Sequence, residues 1–273
     1  MKSIAFGQYY PADSVLHRLD PRVKIILTIL YIVCSFLCKN ILSFALLAIS
    51  SIVFVMLAKI PLKIVFKGLK AVLFVLAFTS ILNIFWTKGS VPLVDWGFIQ
   101  IYPEGIFAAV FIIIRISSLI IGTGVFLTYT TTPIALTDAI EDLLSPLKKL
   151  HVPVHDFAMM MTIALRFIPL LMEETDKIMT AQKARGVDFS SGGIIQRVKA
   201  LIPVIIPLFA SAFNRAGDLA IAMECRCYNG GEGRTRMTVR RVHLVDLVML
   251  GVIIALGAAL VVLNILSIGF TMA

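Results

Sequence analysis

Charge is scarce in this sequence. Only 15% of its residues are charged, against about a quarter in an ordinary soluble domain, while 59% are hydrophobic and the mean hydropathy is +0.95. So much apolar surface cannot be hidden inside one compact core of 273 residues, so lipid must cover a large part of it. Catalytic side chains are scarce too. The four histidines, His17, His151, His155 and His243, all fall outside the apolar runs, whose acidic residues are limited to Glu104 and Asp246 near their ends, read as interfacial. No His-Glu-x-x-His or Gly-x-Ser-x-Gly pattern occurs, and no nucleophile, base and ligand set converges as a membrane-embedded protease or lipid-modifying enzyme requires. A phosphate-binding loop is also missing, so any ATP chemistry belongs to a partner.

Cysteine is limited to two close pairs, Cys34 with Cys38 in an apolar run and Cys225 with Cys227 beside charged residues. Neither pair offers a disulfide framework or four zinc ligands, so all four are read as free thiols and no metal is expected. Met1 to Tyr10 contain no apolar h-region followed by a small-residue cleavage site, so no cleaved signal peptide is expected. The excess of 25 Lys and Arg over 16 Asp and Glu is not gathered on a soluble basic module, which argues against nucleic acid. It fits the positive-inside bias of membrane proteins.

Five runs are long enough, or nearly so, to cross about 30 Å of hydrocarbon as helices, at about 23–38, 41–58, 70–86, 105–129 and 244–270. They are too long and too uniformly apolar for a membrane barrel, so the expected class is an all-α integral membrane protein. Asp20 can cap the first span, Pro21 suits its first turn, and Arg22 and Lys24 are read as marking the water interface. Lys2, Arg18, Arg22 and Lys24 precede the first span, and Lys59, Lys63, Lys67 and Lys70 lie between the second and third. Only Lys39 and Lys88 fall on the other side, which predicts a cytoplasmic N-terminus and an external C-terminus.

The external loop 87–105 carries turn signals at Lys88-Gly89-Ser90-Val91-Pro92 and Asp95-Trp96-Gly97, which predict a short hairpin, with Trp86 and Trp96 near the headgroups. Arg115 is the one charge deep in a span; it serves either a functional role or as an anchor to backbone carbonyls or a neighbouring helix. Small residues at Ser118 and Gly122, and at Gly251, Ala255 and Ala259, predict close helix packing in the fourth and fifth spans.

The segment Thr130 to His243 holds 14 of the 25 basic residues and is read as cytoplasmic. The expected domains are therefore 1–129 with four spans, 130–243 as the cytoplasmic region and 244–273 as the last span. Within the middle region, 157–172 and 200–213 are as apolar as the spans, yet short and interrupted by Arg166 and Pro169, and by Pro203 and Pro207. These suit long kinked helices that start against the membrane and run out to a partner.

The two helices end alike, in Ala181-Gln182-Lys183-Ala184-Arg185-Gly186 and Ala222-Met223-Glu224-Cys225-Arg226-Cys227. Each has an Ile-Pro-Leu upstream, at Ile168-Pro169-Leu170 and Ile206-Pro207-Leu208. An Arg at one helix C-terminus is explained by the macrodipole, with Gly186 or the Gly230-Gly231 pair turning the chain away. The same ending on two successive helices, with small neighbours beside each guanidinium, points further. A planar five-donor group at a helix tip suits insertion into a groove bearing a carboxylate, and two tips imply two similar grooves.

Leu16-His17-Arg18-Leu19-Asp20-Pro21-Arg22-Val23-Lys24, Thr131-Thr132-Pro133, Leu165-Arg166-Phe167-Ile168-Pro169-Leu170-Leu171 and the two Arg-ended helices together resemble one family over nearly the whole chain. That family is the transmembrane coupling subunit EcfT of energy-coupling factor transporters, with its cobalt-transport relative CbiQ. The resemblance implies a non-catalytic subunit of an ABC-type importer in the plasma membrane of a prokaryote. Such a subunit joins two cytoplasmic ATPases, EcfA and EcfA', which bind the ATP and Mg, to a substrate-binding S-component for vitamin or metal-ion uptake. It further implies that Ala184, Arg185 and Gly186 dock on one ATPase and Cys225, Arg226 and Cys227 on the other. The second ending departs from the family's Ala-Arg-Gly pattern, because cysteines replace its small residues.

The apolar Met159, Met160, Met161, Pro203 and Pro207 are expected to offer the S-component an adaptable surface, ordinary helix packing being the alternative. Two other functions stay open: a dedicated CbiQ-like subunit for cobalt or nickel, and a self-sufficient carrier. The carrier would need inverted halves and a midplane site, which five spans and a long insertion do not supply.

Overall fold

Asp20 accepts a hydrogen bond from the backbone N–H of Arg22 and Pro21 takes the first helical position, so the first long helix starts where the sequence placed it. The computed structural model describes residues 9–87, 94–96, 99–150, 152–189, 191, 193–230 and 242–266. Lys2, His151, Gly231, the Lys88-Gly89-Ser90-Val91-Pro92 turn, Gly97 and the end of the last predicted span, 267–270, lie outside the described residues. The chain forms two compact units, Met1–Ala139 with Val239–Ala273, and Ile140–Thr238.

The first unit contains the short α1 (Val15–Arg18), α2 (Pro21–Leu37), α3 (Ile41–Ala58) and α4 (Leu62–Trp86). A hairpin of β1 (Val94–Trp96) and β2 (Ile99–Ile101) follows, as the loop's turn signals predict, with Asp95 opposite Gln100. Next come α5 (Pro103–Thr123), which runs on through a π-helical turn at Gly124–Thr128, and α6 (Pro133–Leu143), which leads into the second unit. The second unit holds a 3-10 turn at Ser145–Leu150, α7 (Val154–Ala184) and α8 (Ile194–Cys225); α9 (Leu244–Ile265) returns to the first.

The protein is an all-α membrane protein. Five helices among the described residues are long and apolar enough to cross a bilayer, but they are not the five runs read from the sequence. They are α3, α5 with its continuation, α7, α8 and α9, while α4 qualifies only as a bent pair, Leu62–Lys70 with Val72–Trp86. With 17 residues, about 25 Å, α2 is the shortest of the predicted spans. The expectation that the apolar stretches of α7 and α8 are too short to cross does not hold on length, because both helices continue through Pro169, Pro203 and Pro207.

The core of the first unit is built on Tyr31. Its ring meets Phe54 and Phe126 edge-on at centroid distances of 5.8 and 5.9 Å, with Gly122 directly against it. A Cβ at Gly122 would stand 2.2 Å from a ring carbon, so only glycine fits. The predicted approach at Gly251 is not found. A Cβ there would meet nothing within 4 Å, whereas Gly257, on another side of α9, comes within 3.1 Å of the Cys34 sulfur. The small residue that matters on α9 is therefore one the spacing pattern overlooked. Arg115 resolves as an anchor: it donates to the Cys38 carbonyl at 2.8 Å and its guanidinium lies 5.1 Å from the Phe44 ring centre.

Two charged residues read as interfacial are buried within the protein. Lys24 is 1% exposed and donates to the carbonyls of Thr130, at 2.8 Å, and His17, at 3.4 Å. Asp246 is also 1% exposed, and accepts from the backbone N–H of Asp20 at 2.9 Å and of His243 at 2.7 Å. These bonds join the start of α2 to the start of α9. At the other ends, Asn264 donates to the Leu37 carbonyl and Asn40 to that of Leu263. Both pairs of ends meeting in order means that α2 and α9 run parallel.

Candidate functional site

The two arginine endings share one backbone design. Arg185 caps α7 at φ −85°, ψ 4°, and Arg226 caps α8 at φ −92°, ψ 14°. The following residue is left-handed in both, Gly186 at φ 90° and Cys227 at φ 56°. Two reverse hydrogen bonds then close each turn. Gly186 N–H donates to Lys183 O at 3.0 Å and Val187 N–H to Gln182 O at 3.1 Å; Cys227 N–H donates to Glu224 O at 2.8 Å and Tyr228 N–H to Met223 O at 3.0 Å. This is the Schellman arrangement at both ends, satisfying carbonyls the helix leaves unpaired.

Glycine enters the left-handed region without strain, but Cys227 carries a Cβ there and is strained by about 1–2 kcal/mol. The second ending is thus folded like the first despite a residue that opposes the fold. Ala184, Arg185, Gly186, Cys225, Arg226 and Cys227 are all exposed. Neither guanidinium forms an ion pair among the described residues. Each tip therefore holds a five-donor plane on a rigid turn, flanked by small side chains, with its hydrogen-bonding capacity directed outward.

The relation between the tips differs from the expectation that both helices run outward from one surface. The link between α7 and α8 is short, Arg185 to Gly193, and short links make antiparallel neighbours. Gln182, near the end of α7, donates to the Pro203 carbonyl in the first part of α8, and Glu174 pairs with Arg215 at 3.0 Å. Ile163, early in α7, lines one cavity of about 280 Å³ with Met223, near the end of α8. The arginines consequently stand at opposite ends of the helical pair. At about 1.5 Å per residue, the stretch of α8 from Pro203 to Arg226 separates them by about 35 Å.

The same register sorts the other predicted residues. Met159, Met160 and Met161 lie one turn before Ile163, at the end of the pair that bears Arg226; Met160 and Met161 are exposed and Met159 is half-buried. Pro203 sits beside Gln182 at the Arg185 end, half-buried, with Pro207 exposed one turn on. The structure does not bring the methionines and prolines together into one surface. It shows instead a stripe that the sequence reading missed, Ile194, Val198, Ile202, Ile205, Phe209 and Phe213, all exposed on α8. Their spacing of three or four residues was the legible signal, obscured by reading the region as a plain apolar block.

Residues 12–237 match the family described as Cobalt transport protein, CbiQ. Among curated proteins, the chain is 54% identical to the "Energy-coupling factor transporter transmembrane protein EcfT" of Ruminiclostridium cellulolyticum, across 92% of this chain and 94% of the relative. It is 50% identical to the EcfT of Bacillus subtilis, across 86% and 89%. To "EcfT 1" of Listeria monocytogenes it is 43% identical, across 97% and 99%.

Proposed function

This chain belongs to the CbiQ family, which it shares with the EcfT transmembrane proteins of energy-coupling factor transporters, and from that premise we propose that it is the coupling subunit of such an importer. Its partners in this reading are two ABC-type ATPases, EcfA and EcfA', which hold ATP and Mg, and a substrate-binding S-component that takes up a vitamin or a metal ion. The chain itself catalyses nothing. The cobalt description of the matched family keeps a dedicated CbiQ-like cobalt or nickel subunit as the second reading.

One observation carries the proposal: two exposed arginines on caps of the same type at opposite ends of one antiparallel helix pair. Two like tips about 35 Å apart suit two like grooves on two separate partners. Charge supports keeping this pair out of the hydrocarbon, since α7 carries Arg166, Glu173, Glu174, Asp176 and Lys177, and α8 carries Arg197, Lys199, Arg215 and Asp218. The working division is then 1–129 in the membrane, 130–243 on the cytoplasmic side and 244–273 in the membrane. The parallel run of α2 and α9 supports termini on opposite faces, with basic residues favouring a cytoplasmic N-terminus.

When the ATPases close on ATP, Arg185 and Arg226 are drawn relative to each other and the helix pair carries that motion to its apolar side. The α8 stripe receives the S-component there, with the Pro203 and Pro207 turn as a contact near the Arg185 end and Met159, Met160 and Met161 as a separate contact near the Arg226 end. Losing either charge-assisted contact costs about 2–5 kcal/mol if it is buried on docking. Replacing Arg185 and Arg226 together with Ala is expected to abolish uptake and release the ATPases during purification; full co-purification with normal uptake would defeat the proposal.

A further inference from the structure

The first part of α4, Leu62–Lys70, differs in character from the rest of that helix. The preceding α3 is long and apolar enough to cross a bilayer and ends at Ala58, with Lys59 as its cap. The chain therefore enters α4 at the level where hydrocarbon gives way to headgroups. Past Lys70 it bends before continuing as Val72–Trp86.

The nine residues divide into three faces. Ile64, Val65 and Gly68 meet the protein: Val65 is buried, Ile64 packs on the same core, and a Cβ at Gly68 would stand 2.8 Å from the Tyr129 hydroxyl. Leu62 and Phe66, one turn apart, are exposed apolar side chains. Lys63, Lys67 and Lys70 are exposed as well. At about 100° per residue they fall within an arc of about 60° beside the apolar pair.

Nothing in the chain balances this row. There is no acidic residue in α4, and none of the three lysines forms an ion pair among the described residues. Their own helix opposes them, because its start is the positive end of the macrodipole and Pro61 supplies no capping side chain. Like charges one turn apart also repel one another. Three such cations call for anions from outside, and the apolar row alongside selects anions that carry acyl chains. Cations on one edge and apolar side chains on the next suit a helix lying in the headgroup plane, with lysine stems reaching along the apolar surface.

We propose that Leu62–Lys70 is an interfacial helix that binds anionic phospholipid, Lys63, Lys67 and Lys70 holding the headgroup phosphates while Leu62 and Phe66 enter among the acyl chains. The lipid neutralises the start of α4 and holds its first part along the membrane surface. This needs only that the chain is a membrane protein, so it stands or falls apart from the coupling role.

Native mass spectrometry of the full chain in detergent reads the binding without any transport partner. The chain is titrated in turn with phosphatidylglycerol, phosphatidylcholine of the same acyl chains, and inorganic phosphate. Both lipids carry the phosphate, but only phosphatidylglycerol has a net negative charge. The expected result is at least about tenfold tighter retention of phosphatidylglycerol than of phosphatidylcholine, with inorganic phosphate not retained. At about fivefold per lysine near a membrane surface, Lys67→Gln should lower that preference about fivefold. The triple variant Lys63→Gln, Lys67→Gln, Lys70→Gln should remove it, whereas Lys63→Arg, Lys67→Arg, Lys70→Arg should keep it. Equal retention of the two lipids, comparable retention of inorganic phosphate, or an unchanged preference in the triple glutamine variant would overturn the proposal. So would release of a partner chain from the assembled transporter by that variant with its lipid preference intact, which would make the row a protein contact.

Discussion

Gly186 and Cys227 occupy the same left-handed position at the two tips, so exchanging their chemistry should move the tips in opposite directions. At Gly186 a Cβ meets nothing within 4 Å, so Gly186→Ala adds no clash and only the backbone penalty, about 1–2 kcal/mol. Reduced freedom in the open state returns about 0.4–1 kcal/mol. The net loss is about 0.5–1 kcal/mol, and Cys227→Gly should gain a similar amount by the same reasoning reversed. With tenfold for every 1.4 kcal/mol, the closing amides should change their hydrogen exchange about two- to fivefold. Val187, which bonds to Gln182 O, should exchange faster in Gly186→Ala; Tyr228, which bonds to Met223 O, should exchange more slowly in Cys227→Gly. Hydrogen–deuterium exchange with fragment-level mass spectrometry reads both. Shifts of the same sign, or none at these amides, would refute the shared-cap reasoning.

Two further substitutions probe the membrane unit. Gly122→Ala should lower the thermal midpoint in detergent, by about 1–3 kcal/mol of overpacking against Tyr31, while Gly251→Ala, in open space, should leave it unchanged. Arg115→Met strands the Cys38 carbonyl and should cost about 1–3 kcal/mol, yet protein that folds should still transport; normal stability with lost uptake would instead give Arg115 a functional role.

Local signals in the sequence were read well. The Asp20-Pro21 start, the span at 41–58, which is α3 residue for residue, and the hairpin before α5 are all found. The arginine endings were legible because a cap and its left-handed residue are consecutive in the chain. Long-range partners were not. The burial of Lys24 and Asp246 was not legible because nothing near them in sequence predicts Thr130 O or Asp20 N as their mates. Gly257 went unnoticed because spacing alone does not say which side of α9 meets Cys34. The antiparallel course of α7 and α8 followed from the length of the link between them, a signal present in the sequence but outweighed by the likeness of the two endings.

The most direct measurement uses thiols already at one tip. Cys225 and Cys227 are exposed while Cys34 and Cys38 are buried, so a maleimide applied to the chain alone should label only the second tip. Ala184→Cys adds the same handle to the first. In the assembled transporter, labelling at both tips should slow at least about tenfold, as expected for side chains enclosed in partner grooves. Unchanged labelling at either tip in an intact, ATP-hydrolysing complex would contradict coupling through paired arginine ends.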